Sequence, residues 1–92
     1  MTAKFEKTRP TKEELDKLKI KEWGIWSSPA PPGFDWEYDE KEIFYILEGE
    51  AEIVSGTDKI SFTVGDLVTV YPATGKCRWN VKSTIKKHYK FG

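Results

Sequence analysis

The carboxylate with the clearest chemical potential in this sequence is Glu42, which begins the segment "EIFYILEGEAEIV". The segment predicts two β-strands joined by a turn at "EGE", with Gly49 at positive φ. An acid at the start of so apolar a strand can be a ligand or a catalyst, or it can be solvated at the rim of a sheet. Alternation along the strand points Glu42, Phe44 and Ile46 to the same side.

The other reactive side chains are one cysteine and one histidine. Cys77 could be a nucleophile, but the basic residue closest to it in sequence is Arg78, which faces the opposite way on a strand. This favours a buried structural thiol, because a catalytic thiolate needs a base or a positive charge beside it. His88 alternates with Lys86 and Lys90 near the C-terminus, which predicts an exposed position.

The elements that must position these residues are predicted to be mostly β-strands. The segment "FDWEY" alternates strictly, so Phe34, Trp36 and Tyr38 share one face of a strand. Roughly eight short strands, separated by turns such as "SSPAPPG", "SGTD" and "PATGK", are typical of a sandwich or barrel. One short helix is expected at "TKEELDKLK", where Thr11 and Glu14 form the pattern of a capping box.

The composition predicts a small domain and disfavours two classes of partner. Ninety-two residues predict a single domain, 1–92, whose core depends on five Phe, four Trp and four Tyr. Fifteen basic residues balance fifteen acidic ones, which indicates neither a nucleic acid nor a membrane as a partner.

The lone cysteine and the absence of an apolar N-terminal segment predict a soluble cytoplasmic protein, with an organelle as the alternative. We interpret Lys86, Lys87 and Lys90 as the solvated face of the last strand.

Two segments resemble the sequence motifs of the cupin superfamily. In "EIFYILEG", six residues separate a Glu from a Gly, as at the end of the first motif. "GDLVTVYPATGKCRWN" resembles the second motif, with its Gly-Asp turn, apolar strand, Pro and Gly turn. With "WGIW" and the closing "KKHYKF", nearly the whole chain resembles small cupins related to the (S)-ureidoglycine aminohydrolase cupin domain. The resemblance implies an all-β cupin double-stranded β-helix, or jelly-roll barrel, with one short N-terminal helix and an internal pocket.

The same resemblance bears on metal binding. Metal-binding cupins place two histidines before the Glu and a third in the second motif, and these positions are Trp36, Tyr38 and Cys77 here. Only Glu42 matches, so the resemblance implies no metal and no metal cofactor. We expect instead a ligand-binding pocket lined by Trp36, Tyr38, Glu42, Cys77 and Trp79. With no cation expected beside it, desolvation would disfavour the charged form of Glu42.

Three functions are compatible with such a pocket, and the catalytic residues of any reaction stay undefined. The first is a protein, or an enzyme of undefined reaction, that binds a small organic molecule in the barrel without the usual cupin metal. The second is a metal-dependent enzyme of the aminohydrolase or isomerase type, which would need Glu42, Cys77 and Tyr38 as ligands. The third is a non-catalytic module, since the chain can be a monomer or a homodimer that packs through Ile43, Tyr45 and Leu47. The large rings could also fill the barrel completely.

Overall fold

Two antiparallel β-sheets form the body of the protein. The structure is a computed structural model, which describes residues 4–28 and 33–92. The strands are β1 (Phe5–Thr8), β2 (Gly24–Ser28), β3 (Gly33–Glu37), β4 (Glu42–Glu48), β5 (Glu50–Ser55), β6 (Asp58–Thr63), β7 (Leu67–Val70), β8 (Lys76–Val81) and β9 (Ile85–Phe91). The first sheet has the order β1-β7-β4-β9-β2 and the second the order β3-β8-β5-β6. This arrangement confirms the predicted all-β cupin jelly roll. Part of the predicted "SSPAPPG" loop, residues 29–32, lies outside the described residues.

The core lies between the two sheets and is built from alternating inward residues. On β4, Glu42, Phe44 and Ile46 are buried while the residues between them are partly exposed, as the alternation predicts. Strand β8 contributes Trp79, which is only 1% exposed. Gly49, between β4 and β5, has a φ of 85°, also as predicted. A Cβ atom there would collide with the carbonyl group of Thr84, so the turn requires glycine.

The predicted helix is present as α1 (Lys12–Leu18). The capping box is complete, since the Thr11 hydroxyl accepts a hydrogen bond from the Glu14 amide at 3.2 Å and the Glu14 carboxylate accepts one from the Thr11 amide at 3.1 Å. The helix buries none of its residues, and a short 3-10 helix, Ile20–Glu22, follows it and buries Ile20. Among the described residues, no helix is long and apolar enough to cross a membrane.

Strand β9 corrects two predictions about the C-terminal segment. Lys87 was predicted to be solvated and His88 to be exposed, but they are only 5% and 8% exposed. The reason is that β9 is an interior strand, paired with β4 on one side and β2 on the other. Its inner face looks into the core, and the 3-10 helix Ile20–Glu22 packs against it as well. Lys87 and His88 are thus buried on adjacent positions of an interior strand, whereas Lys90, near its end, is exposed.

Candidate functional site

A cavity of about 200 Å³ opens between the sheets beside Glu42, and we call it the aromatic cavity. Five strands, β2, β3, β4, β8 and β9, supply its walls, which are mostly ring faces. Trp36 and Phe91 are 48% and 38% exposed and mark the mouth, whereas Glu42 and Lys87 are buried in the interior. The complete lining is Trp26, Phe34, Trp36, Tyr38, Glu42, Trp79, Lys87, Tyr89 and Phe91.

Both carboxylate oxygens of Glu42 have a buried partner. The Lys87 ammonium lies 2.9 Å from Oε2, and the Tyr38 hydroxyl donates a hydrogen bond of 2.7 Å to Oε1. The side chains of Lys87 and Glu42 are only 6% and 4% exposed. The expectation that Glu42 lacks a cation is therefore wrong. Because Lys87 lies opposite Ile46 in the β4–β9 register, its long side chain must run along the inner face to reach Glu42.

The ammonium of Lys87 is also surrounded by aromatic rings. Its Nζ atom lies 4.4 Å from the ring centre of Phe44, 4.5 Å from that of Trp79 and 4.9 Å from that of Trp26. Each ring face attracts the positive charge and excludes water from it. Burial lowers the pKa of Lys87, and the neighbouring Glu42 acts in the opposite direction without restoring the ordinary value. The amine is thus largely shielded from bulk water, with one carboxylate 2.9 Å away that can exchange a proton with it.

Tyr38 is the third polar member of this group. Burial, and then the charge of Glu42, raise the pKa of Tyr38 far above its usual range. The phenol therefore keeps its proton at every physiological pH and serves as a hydrogen-bond donor. Together, Tyr38, Glu42 and Lys87 form a hydrogen-bonded chain at the inner wall of the aromatic cavity, and we call them the polar triad.

The structure brings four of the five predicted pocket residues to the aromatic cavity: Trp36, Tyr38, Glu42 and Trp79. Cys77 is not among the lining residues of the aromatic cavity, and its side chain is buried. The residue contributes, with Val54 and Arg78, to the wall of a separate and more open depression.

The lining also includes residues that the sequence interpretation did not select, namely Trp26, Phe34, Lys87, Tyr89 and Phe91. A signal for Lys87 was available, because it alternates with Ile85 and Tyr89 rather than with Lys86. That spacing places a lysine on the apolar face of the last strand.

Cys77 should react slowly with thiol reagents in the native protein. Burial, followed by the charges of Asp35 and Glu42, raises the pKa of Cys77 to about 11, so little nucleophilic thiolate exists near neutral pH. We expect iodoacetamide to label native protein far more slowly than urea-unfolded protein at pH 7.5. Because the unfolded thiol ionises at a lower pH than the folded one, the contribution of Cys77 to stability is complete at neutral pH and declines as the pH rises towards 11. Equal native and unfolded labelling rates would contradict this assignment.

The residues at the cupin metal positions do not fit a metal ion. Across residues 4–28 and 33–92, no group of three or more His, Cys, Asp or Glu side chains could hold one. Trp36 and Tyr38 occupy the positions of two histidines, and the oxygens of Glu42 already contact Tyr38 and Lys87. The tethered ammonium of Lys87 supplies the positive charge that balances this carboxylate.

Comparison with known proteins shows the family to which this chain belongs. Residues 15–89 match the family model of the EutQ-like cupin domain, and the chain belongs to this family. A solved DUF861 family protein from Thermotoga maritima is 38% identical with a TM-score of 0.87, and the match covers 96% of this chain and 99% of that one.

A more distant structure, the EutQ protein of Clostridium difficile, is 24% identical with a TM-score of 0.65. That match covers 74% of this chain and 52% of the other, and it shows a common fold alone. No functionally curated protein matches the sequence. The finer resemblance to the ureidoglycine aminohydrolase cupins stays a prediction.

Proposed function

We propose that this protein binds a small, uncharged organic molecule in the aromatic cavity without a metal ion. The observation that carries the proposal is the polar triad inside walls of aromatic rings. A mostly apolar cavity with a few convergent polar groups is the usual form of a small-molecule site. Its volume of about 200 Å³ lies below the range of drug-sized sites, which favours a ligand of metabolite size.

The charges in the cavity favour a neutral ligand. The ammonium of Lys87 and the carboxylate of Glu42 already balance each other at 2.9 Å. An anionic or cationic ligand would add an uncompensated charge to a dry site, which costs several kcal/mol. A neutral ligand with an acceptor oxygen can instead take a hydrogen bond from one of the ammonium protons that Glu42 does not use.

The ring faces favour a ligand with a flat apolar body. Trp79 and Phe34 stack with ring centres 5.4 Å apart, and Trp26 meets both rings edge-on. Trp36 lies at the mouth, where its exposed ring can cover a bound molecule. Stacking of this kind contributes about 0.5–1.5 kcal/mol for each ring pair.

The other two functions have less support. A metal-dependent aminohydrolase or isomerase would need Glu42, Cys77 and Tyr38 as ligands, but Glu42 is paired with Lys87 and Cys77 does not line the aromatic cavity. The homodimer module would use Ile43, Tyr45 and Leu47, each of which is already partly covered by its own chain.

A screen of neutral ring compounds and metabolites should reveal a ligand that stabilises the protein. At a concentration one hundred times its dissociation constant, such a ligand raises the free energy of unfolding by about 2.7 kcal/mol. Thermal shift and tryptophan fluorescence measure the effect. We expect Trp36→Ala to weaken binding about tenfold through the loss of stacking. The matched control Ile25→Ala removes an exposed side chain that does not line the cavity and should bind normally.

Two results would contradict the proposal. One is a broad screen in which no neutral compound binds, or in which Trp36→Ala and Ile25→Ala bind every ligand equally. The other is a full equivalent of a transition metal in untagged, dialysed protein that disappears in Glu42→Gln, which would show that the site requires a metal.

A further inference from the structure

The proposed function uses the amine of Lys87 only as a hydrogen-bond donor to the ligand. An uncharged donor could serve that purpose, and Lys and Glu are seldom fully buried unless they are paired. Here the amine is buried, lines the aromatic cavity and has a carboxylate 2.9 Å away. Three rings lie within 5 Å of its nitrogen and keep water from it.

We propose that Lys87 is a nucleophile that forms an imine with the carbonyl group of a small aldehyde or ketone bound in the aromatic cavity. This inference rests on the proposed function and names its ligand class. Lysine amines form Schiff bases with carbonyl compounds where an apolar pocket keeps the amine neutral. The geometry meets that condition, since the amine is enclosed by rings and opens onto the cavity.

Glu42 is placed to take the proton that the amine must lose. Proton transfer from the Lys87 ammonium to Oε2 across 2.9 Å produces a neutral amine and a neutral carboxylic acid. Burial lowers the pKa of Lys87, so the ammonium gives up this proton more readily than that of a solvated lysine. The freed lone pair on Nζ can then attack a carbonyl carbon.

The reaction balances within the site. The Nζ lone pair forms a C–N bond, and the electrons of the C=O double bond move to oxygen, which takes the proton held by Glu42. The attacking nitrogen carries a positive charge at this stage, and it returns one proton to the Glu42 carboxylate, giving a neutral carbinolamine. That proton passes to the hydroxyl group, the C–O bond breaks, and water leaves as the C=N bond forms. Overall, one ammonium and one carbonyl compound give one protonated imine and one water, with no redox partner.

Tyr38 supports the proton transfers from the other side of Glu42. Its hydroxyl donates to Oε1 at 2.7 Å and keeps its proton, so it orients the carboxylate and stabilises its charge whenever Glu42 is ionised. Tyr38 also lines the aromatic cavity. We therefore assign it as a positioning residue for Glu42.

The test uses benzaldehyde, a flat and uncharged carbonyl compound, with sodium cyanoborohydride to trap any imine as a stable amine. Wild-type protein at pH 7.5 should gain one benzyl group, and peptide mass spectrometry should locate it on Lys87. The reference amine is Lys90, an exposed lysine on the same strand. We expect Lys87 to be labelled at least about tenfold faster than Lys90, because binding holds the aldehyde beside it. Labelling of Lys87 that is absent or no faster than that of Lys90 would overturn the inference.

A conservative variant tests the role of the neighbouring groups. Tyr38→Phe keeps the ring and the Lys87–Glu42 pair but removes the hydrogen bond that orients the carboxylate, and should slow labelling of Lys87 by up to about a hundredfold. Labelling of Lys90 should not change, and near-ultraviolet circular dichroism checks that the core is intact. Equal rates at Lys87 in both proteins would overturn the role of Tyr38.

Benzyl alcohol separates this inference from the proposed function, because it has the same ring without a carbonyl group. If it binds and slows the labelling of Lys87 by benzaldehyde, both proposals are supported. If it binds while Lys87 gains no benzyl group, the imine is excluded and ligand binding survives. If neither compound binds and no adduct forms, the imine is excluded, and the result also contradicts the proposed binding of small benzene derivatives in the aromatic cavity.

Discussion

Replacing Lys87 by Met should lower the free energy of unfolding by about 3–5 kcal/mol. The substitution keeps a long apolar side chain, so little packing volume is lost, but it removes the cation 2.9 Å from the buried carboxylate of Glu42. That charge would then remain inside a ring-lined cavity with the Tyr38 hydroxyl as its remaining hydrogen-bond partner in the structure. Urea unfolding followed by tryptophan fluorescence measures the loss.

Two further variants make this experiment specific to the ion pair. Lys90→Met makes the same chemical change at an exposed position of the same strand and should alter stability by less than about 0.5 kcal/mol. The double variant Glu42→Gln/Lys87→Met removes both charges and should lose less than the sum of the two single variants, because they share one interaction. A loss for Lys87→Met as small as that for Lys90→Met would show that the pair is not a stabilising contact.

Replacing Trp79 by Ala should cost about 3–5 kcal/mol of unfolding free energy. Trp79 is 1% exposed, and its ring centre lies 5.4 Å from those of Phe34 and Phe44 and 5.3 Å from that of Phe62. Truncation would leave a large cavity at the point where the two sheets meet. It would also remove one of the rings that enclose Lys87, so we expect both thermal and urea unfolding to shift strongly.

Trp36→Ala is the matched control, because it removes the same side chain from a position that is 48% exposed. We expect a smaller loss than for Trp79→Ala, because about half of the Trp36 side chain is already exposed to water. The proposed function predicts that Trp36→Ala nevertheless weakens ligand binding, because Trp36 lies at the mouth of the aromatic cavity. Equal stability losses at the two positions would contradict the assignment of Trp79 to the core.

Local patterns were sufficient to predict a small all-β sandwich or barrel, and the resemblance to the cupin motifs identified it as a jelly roll and located part of the site. The capping box of Thr11 and Glu14 uses side chains three residues apart, so the sequence contains every group that it needs. The spacing of Glu42 and Gly49 likewise determined that the acid begins a strand and that the glycine ends it in a turn. Glu42 then faces inward with Phe44 and Ile46, because alternation is a property of any strand.

Alternation could not predict how deeply each inward residue is buried. Trp36 and Tyr38 share one face of "FDWEY", yet Trp36 is 48% exposed and Tyr38 only 4%. Strand β3 is at the edge of its sheet and ends before Tyr38, where the chain turns back towards the core. Exposure therefore depends on where each residue lies in the assembled sandwich, which alternation along one strand does not determine.

The sequence by itself determined the alternation of strands and turns and the inward direction of Glu42, because these follow from residue type and short spacing. The resemblance to the cupin motifs identified the positions where the histidines are replaced. Only the tertiary structure decided that Lys87, 45 residues from Glu42, is its partner. It also decided that His88 is buried, on a strand against which the 3-10 helix Ile20–Glu22 packs. Contacts between distant elements determine which charges meet and which faces are covered. Spacing along one strand contains no information about either.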